Sequence, residues 1–391
     1  MTFDFDRIID RRNTNSAKWD LVPGMCKDPD VIPMWVADMD FPTAPAVIEA
    51  LKRQSENGFF GYTLRPKSYL QAVVDWVDRR HGWKIEPEWL TYSPGVVTAL
   101  NLCLMTYTRP GDRVIIQPPV YYPFARAIRN NGRYVENNPL LYDGNRYTMD
   151  LTDLKTRAHH RTTMMILCSP HNPVGRVWHE DALAAVAEFC VENDILLVSD
   201  EIHSDLVFRE RKHMPTASIS EKIAQNTITC IAPSKTFNLA GLKTSVLVIP
   251  DPKLRRQYQD MLENLALGMD NSFGVVALEA AYSHGESWLE ALLDYLDANA
   301  ECAVSFIRQN IPGISAQKPE GTYLLWLDCR GLGLDSKALD DFMLTKARLW
   351  LDDGPMFGPG GEGFQRMNIA CPRKTLERAL ERLNKAVVEN T

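Results

Sequence analysis

The chain has 391 residues, of which 45% are hydrophobic and 24% charged, and it carries a net charge of −7. That length favours two or three domains over a single core, and the composition is that of an ordinary globular enzyme. The acidic balance argues against nucleic acid as a partner, no basic tract is present for an anionic membrane, and no apolar run is long enough to span a bilayer.

The opening MTFDFDRIIDRR lacks the basic-then-apolar order of a signal peptide. Eight cysteines are scattered, with no CxxC pair and no histidine at metal-ligand spacing. Several lie in apolar runs such as MMILC and TITCI, where a reduced cysteine acts as a small hydrophobe. The expectation is a cytoplasmic protein without a metal site.

In chain order, residues 1–45 are irregular and rich in aromatic residues. The stretch IPMWVADMDFPTAP is too apolar for a free tail, so the segment is expected to pack across a domain or subunit surface. Helical spacing follows over 44–57 (Val47, Ile48, Leu51) and 69–81, around the turn-rich, aromatic FFGYTLRP. Ser93, Pro94 and Gly95 then form a turn that opens a helix running to Met105. The unpaired N–H groups of such a helix start make a seat for a phosphate.

Short apolar runs at 113–117, 133–136, 163–168, 195–199, 227–231 and 245–249 read as strands, with helical patterns between most of them. In the helix at 180–193, for example, Leu183, Val186, Ala187 and Cys190 share one face. Near-continuous apolar strands alternating with helices predict an α/β fold, a mainly parallel sheet covered on both faces. From about residue 270 the character changes. A long helical pattern over 286–310, a turn and strand in IPGISAQKPEGTYLLWLDC, helical character at 342–346, a Gly-rich loop and an amphipathic C-terminal helix predict a smaller α+β domain. The expected domains are an N-terminal segment, 1–45, on the small domain, a large domain over 46–285 and a small one over 286–391.

In an open parallel sheet, ligands bind beyond the carboxyl ends of the strands. The run at 163–168 leads into SPHNPVG with Asn172, and that at 195–199 into DEIHSD with Asp200 and His203. The run at 227–231 leads into APSK with Lys235, and that at 113–117 into PPVYYPF with Tyr121. A lysine at a strand end loses hydration, which lowers its pKa and frees the amine to attack a carbonyl. The set fits pyridoxal 5′-phosphate. Lys235 would hold the aldehyde as a Schiff base, and Asp200 would keep the pyridine nitrogen protonated. Asn172 and His203 could hydrogen-bond the ring oxygen, and Tyr121 offers a face for stacking.

The motifs SPHNPVG, DEIHSD, SKTFNLAGLK and GFQRMNIACPR, in that order and spacing, resemble those of the aspartate-aminotransferase superfamily of pyridoxal-phosphate enzymes. The likeness covers almost the whole chain. It implies that Lys235 is the cofactor lysine, Asp200 the pyridinium partner, Asn172 the partner of the ring hydroxyl and Tyr121 the stacking group. Gly95, Val96 and Val97 would supply phosphate-binding backbone, with Ser234 and Lys243 as further phosphate ligands. Arg366 would bind the substrate α-carboxylate bidentately. Tyr62, in FGYT, matches a tyrosine that one subunit lends to the phosphate and substrate of its neighbour, which implies a homodimer. Three positions depart from the usual pattern: His203 replaces a tyrosine, Ala232 a serine, and Lys243 an arginine.

Within the superfamily, MWVADMDFP, DEIHSDL, KTFNLAGL and FGPGGEGFQRMNIACPR resemble the carbon–sulfur β-lyases of the MalY/PatB type, the cystathionine β-lyases. The resemblance implies β-elimination on a small sulfur amino acid, giving a thiol, pyruvate and ammonia. Transamination shares every step up to α-proton removal and stays open on the residues alone. A regulatory role through a protein partner is a further alternative, because members of this branch can also act on transcription. The side chains facing the sulfur side of the substrate are expected from Trp35 to Asp38, Tyr62 and Tyr323.

Overall fold

Seven strands form the central sheet, in the order Leu90–Ser93, Ser245–Val248, Thr227–Ile231, Leu196–Asp200, Thr162–Cys168, Arg113–Ile116 and Tyr134–Asn137. The computed structural model describes residues 3–390 apart from Lys27. The last five strands in that order run parallel, and Ser245–Val248 is antiparallel to both its neighbours. Six of the seven lie where the apolar runs predict, with ends shifted by at most one residue. Leu90–Ser93 was not expected as a strand. It is four residues long with three hydroxyl side chains, and only its pairing with Ser245–Val248 makes it one.

The parallel strands are apolar on both faces because both faces are covered. Ile166, Val198 and Ile228 pack with Ala99, Cys103 and Phe124 on one side. Met165, Leu167 and Leu197 pack with Leu183, Val186 and Cys190 on the other. Alternate residues of one strand thus enter separate cores, as the two-residue period requires.

Downstream, Ser315–Ala316, Leu324–Asp328, Phe364–Asn368 and Asp352–Asp353 form a four-stranded antiparallel sheet. Leu324, Leu325 and Met367 share a core with Leu376, Leu380 and Leu383 of the C-terminal helix and with Met34, Met39 and Phe41 of the N-terminal segment. Ile32–Pro33 also pairs in parallel with Leu349–Trp350. The segment expected as a Gly-rich loop therefore holds two short strands, each defined by a distant partner rather than by its own pattern. The helix expected at 342–346 begins earlier and spans Ser336–Thr345, because Asp335 caps it by accepting from the N–H of Ala338. The helix Glu286–Asn310 has the predicted bounds.

Candidate active site

Cys168 lies opposite Asp200, and Asp200 opposite Cys230, so three parallel strands end side by side at one edge of the sheet. The loop after the first carries Asn172, and Asp200 is the last residue of the second. After the third, Pro233 starts a short helix, Pro233–Thr236, that holds Lys235. A cavity of about 200 Å³ opens over these ends. Gly95, Val96, Val97, Tyr121, Asn172, Asp200, His203, Ser234, Lys235, Lys243 and Arg366 all line it. Tyr62 does not. It stands 92% exposed on the outer surface, in a loop with Phe59, Phe60 and Leu64, which are also exposed.

Burial sets the electrostatics. The Lys235 amine is brought down to about 8, chiefly by desolvation and then by the Arg366 cation, with Asp38 and Asp200 opposing. Its Nζ donates to the carbonyl of Ala37 at 2.6 Å. The Asp200 carboxyl is pushed up to about 7 by burial, against one hydrogen bond accepted from the N–H of Ile202 at 3.2 Å. A cation brought beside it would restore its charge. Burial, with help from Lys235 and Arg366, takes His203 down to about 3, so its imidazole is neutral, and its buried Nδ1 has no partner among the described residues.

Arg366 joins the two parts of the fold. Nη1 donates to Oδ1 of Asn172 at 2.9 Å, and Nη2 donates to the carbonyl of Trp35 and to the Asp352 carboxylate, which lies opposite it in the small sheet. Its guanidinium also lies over the Phe357 ring, 5.0 Å from the centroid. Nε is buried without a partner among the described residues. Asn172 keeps Nδ2 free of any acceptor among the described residues, so it can donate into the cavity.

The helix Val96–Tyr107 points its N-terminus into the cavity with no side-chain cap. The N–H groups of Val96, Val97 and Thr98 have no acceptor among the described residues. Gly95 precedes them at φ 102°, a conformation strained for a residue with a Cβ. Uncapped amides, a dipole end, the Ser234 hydroxyl and the Lys243 ammonium together suit a phosphate. Ala232, in place of the usual serine, is packed into an apolar cluster and does not line the cavity. Phosphate seat, amine, carboxylate and aromatic face thus fit pyridoxal phosphate. Asp352, Thr98, Tyr122 and Thr244 were missed from sequence. Asp352 meets Arg366 only through strand register, and the other three are contiguous or nearly so with residues that were found.

The wall facing Lys235 comes from residues 35–39. Asn368 donates to the carbonyls of Val36 and Asp38, Tyr323 to Ala37, and Asn238 to Met39 and Phe41.

Residues 29–383 match the model of the aminotransferase class I and II family. The chain belongs to that family. Among relatives, this family member is 44% identical to cystathionine β-lyase PatB of Bacillus subtilis (strain 168), over 98% of this chain and 100% of that one. Among solved structures it is 39% identical to cystalysin from Treponema denticola, a structure containing pyridoxal 5′-phosphate, with a TM-score of 0.97 over the whole of both chains. It is 32% identical to the pyridoxal-phosphate-bound C–S lyase from Staphylococcus hominis, with a TM-score of 0.93 over 99% of each. The fold is that of these class I transferase-type enzymes. No helix among the described residues is long and apolar enough to cross a membrane.

Proposed function

We propose that the protein is a pyridoxal-phosphate-dependent carbon–sulfur β-lyase. It would cleave cystathionine- or cysteine-type amino acids to homocysteine or sulfide, pyruvate and ammonia, with eight free cysteines suited to a reducing cytosol. The observation that carries the reading is one cavity holding a lysine with a pKa near 8, a buried carboxylate and a braced arginine, in a chain 44% identical to a cystathionine β-lyase.

Bound pyridoxal phosphate supplies a sink for the electron pair released when the substrate α-proton leaves. Lys235 would hold the cofactor and, once displaced by the substrate amine, remove that proton; an amine with a pKa near 8 is a competent base at neutral pH. Arg366 would bind the α-carboxylate, aimed by its bonds to Asn172, Trp35 and Asp352. Asp200 would face the ring nitrogen, Asn172 the ring oxygen and Tyr121 the ring face, while His203 stays neutral beside them. The free amides of Val96, Val97 and Thr98 would hold the phosphate with Ser234 and Lys243, while Gly95, whose own N–H is donated to the carbonyl of Ser93, shapes the turn before them.

The reading includes a homodimer in which Tyr62 of one protomer completes the phosphate and substrate site of the other. Four large apolar side chains exposed within residues 59–64 support it, since such a patch on a water-facing loop marks an interface. Sedimentation of purified protein as a monomer would remove this element.

Transamination is the second reading, because it uses the same lysine, carboxylate and arginine. Incubation with cystathionine and no keto acid separates the two. A lyase releases pyruvate and homocysteine in equal amounts, and pyruvate that appears only after a keto acid is added would overturn the lyase assignment.

A further inference from the structure

The chain is acidic overall, with net charge −7, yet one cleft outside the Lys235 cavity gathers three guanidiniums around a single carboxylate. Arg176 and Arg211 both contact Oε1 of Glu320, the second at 2.9 Å, and Arg146 stands 3.7 Å from the same atom. Glu320 cannot turn to serve them better, because its Oε2 accepts from the N–H of Val177 at 2.9 Å. An oxygen already shared by two arginines leaves the third poorly matched. Arg146 accordingly has a buried Nε with no partner among the described residues. Its Nη2 is 3.3 Å from His179 Nε2, which also lies 3.5 Å from Arg211.

The other charges lining the cleft are matched elsewhere. Lys318 pairs with Asp297 at 2.8 Å, and Asp328 with Arg330 at 2.7 Å. Three permanent cations thus face one lining carboxylate, with Asp143 the further anion acting on Arg146, so the cluster stays net positive, and Arg176 is only 8% exposed.

Shape adds to charge. The cleft holds about 230 Å³, and Tyr142 stacks on Tyr147 with ring centroids 4.3 Å apart along one side. At ~30 Å³ per water this is room for roughly seven waters, more than a bare phosphate fills. The cleft shares no lining residue with the Lys235 cavity. Arg176 nevertheless lies in the same loop as Asn172, four residues on.

We propose that this cleft is a second ligand site, which takes a small phosphate-bearing molecule. The dianionic phosphate lies between Arg146 and Arg211, the two guanidiniums of the cluster that reach solvent, and the organic part lies against Tyr142. Guanidinium suits this role because its planar fork binds phosphate oxygens in pairs.

The test is calorimetric titration of the cofactor-loaded enzyme with inorganic phosphate at constant ionic strength. Loading keeps the phosphate seat beside Lys243 filled. The comparison is with the double variant Arg146→Gln, Arg211→Gln, whose side chains are half-exposed, so that the fold and lyase activity are retained. The expected result is saturable binding of one phosphate per chain, weakened at least about fivefold in the variant. No saturable binding by the native enzyme up to ~10 mM, or a weakening smaller than that, overturns the proposal.

Discussion

On one side of the Lys235 cavity, Asn172, Asp200 and Lys235 each follow a buried apolar strand. On the other, residues 35–39 present five consecutive carbonyls, each held by at least one distant side chain: Arg366, Asn368, Lys235 and Tyr323, Lys18, and Asn238 with Arg11. The first wall is positioned by sheet register, the second by side chains reaching across the fold. The strand-end wall supplies chemistry, because its side chains line the cavity where a ligand would sit. The carbonyl wall supplies placement, because its polar atoms are committed within the chain.

Removing the central side chain of the strand-end wall gives the largest effect. Lys235→Ala is expected to lower pyruvate formation from cystathionine by at least ~10³-fold, the scale of a lost general base. It also abolishes the visible absorbance of the holoenzyme and its fixation by borohydride. A borohydride-fixed adduct on the variant chain would show that another amine holds the cofactor.

Arg366 spans both walls, so its variants test whether they act together. Arg366→Lys keeps the charge but cannot reach Asn172, Trp35 and Asp352 at once, and kcat/KM for cystathionine should fall about 10²-fold, mostly through KM. Asp352→Asn keeps the shape and removes the charge that aims the guanidinium. A fall of about tenfold in kcat/KM is expected, with the cofactor spectrum unchanged. An altered spectrum would place Asp352 next to the cofactor instead.

The contrast between the walls also explains what could be read from the sequence. Lys235, Asp200 and Asn172 were legible because each follows an apolar strand, and one apolar pattern reports both the strand and the place where it ends. The helix Glu286–Asn310 was legible for the same local reason. Asp352 was not, since nothing within LWLDDGP says that it will lie opposite Arg366; that follows only once the small sheet is in register. The sequence points to residues 35–38 as a packing segment whose side chains face the substrate, whereas they act through carbonyls, and backbone atoms leave no residue signature of which carbonyl meets which donor. Leu90–Ser93 escaped because four residues with three hydroxyls become a strand only beside a partner. Local pattern carries positions, and long-range pairing carries geometry.

Loosening the carbonyl wall should be milder. Asn238 accepts from the N–H of Met39 and donates to the carbonyls of Met39 and Phe41, at 3.0–3.1 Å. Asn238→Ala removes all three and leaves the N–H of Met39 and the carbonyl of Phe41 unpaired, while Arg11 still donates to the carbonyl of Met39, at about 1–3 kcal/mol of stability in urea unfolding. Hydrogen exchange should quicken over 37–41 before it does in the central strands. Uniform exchange across the chain would show that the segment does not open by itself.

The smallest effect concerns Asp200 and reverses sign with the cofactor. In the cofactor-free chain burial raises this carboxyl from 3.8 to about 7. The folded state therefore keeps a proton that the unfolded state loses as pH rises above about 4, and stability drains away between about pH 4 and pH 7. Asp200→Asn does not titrate, so its melting temperature without cofactor should match the native chain near pH 4. It should exceed the native value by a few degrees above pH 7, on the order of 2–4 °C. With the cofactor loaded the order should invert, because the variant lacks the charge that a protonated ring nitrogen would pair with. A variant that is more stable both with and without cofactor would mean that Asp200 does not face that nitrogen, and the strand-end wall would lose its anion.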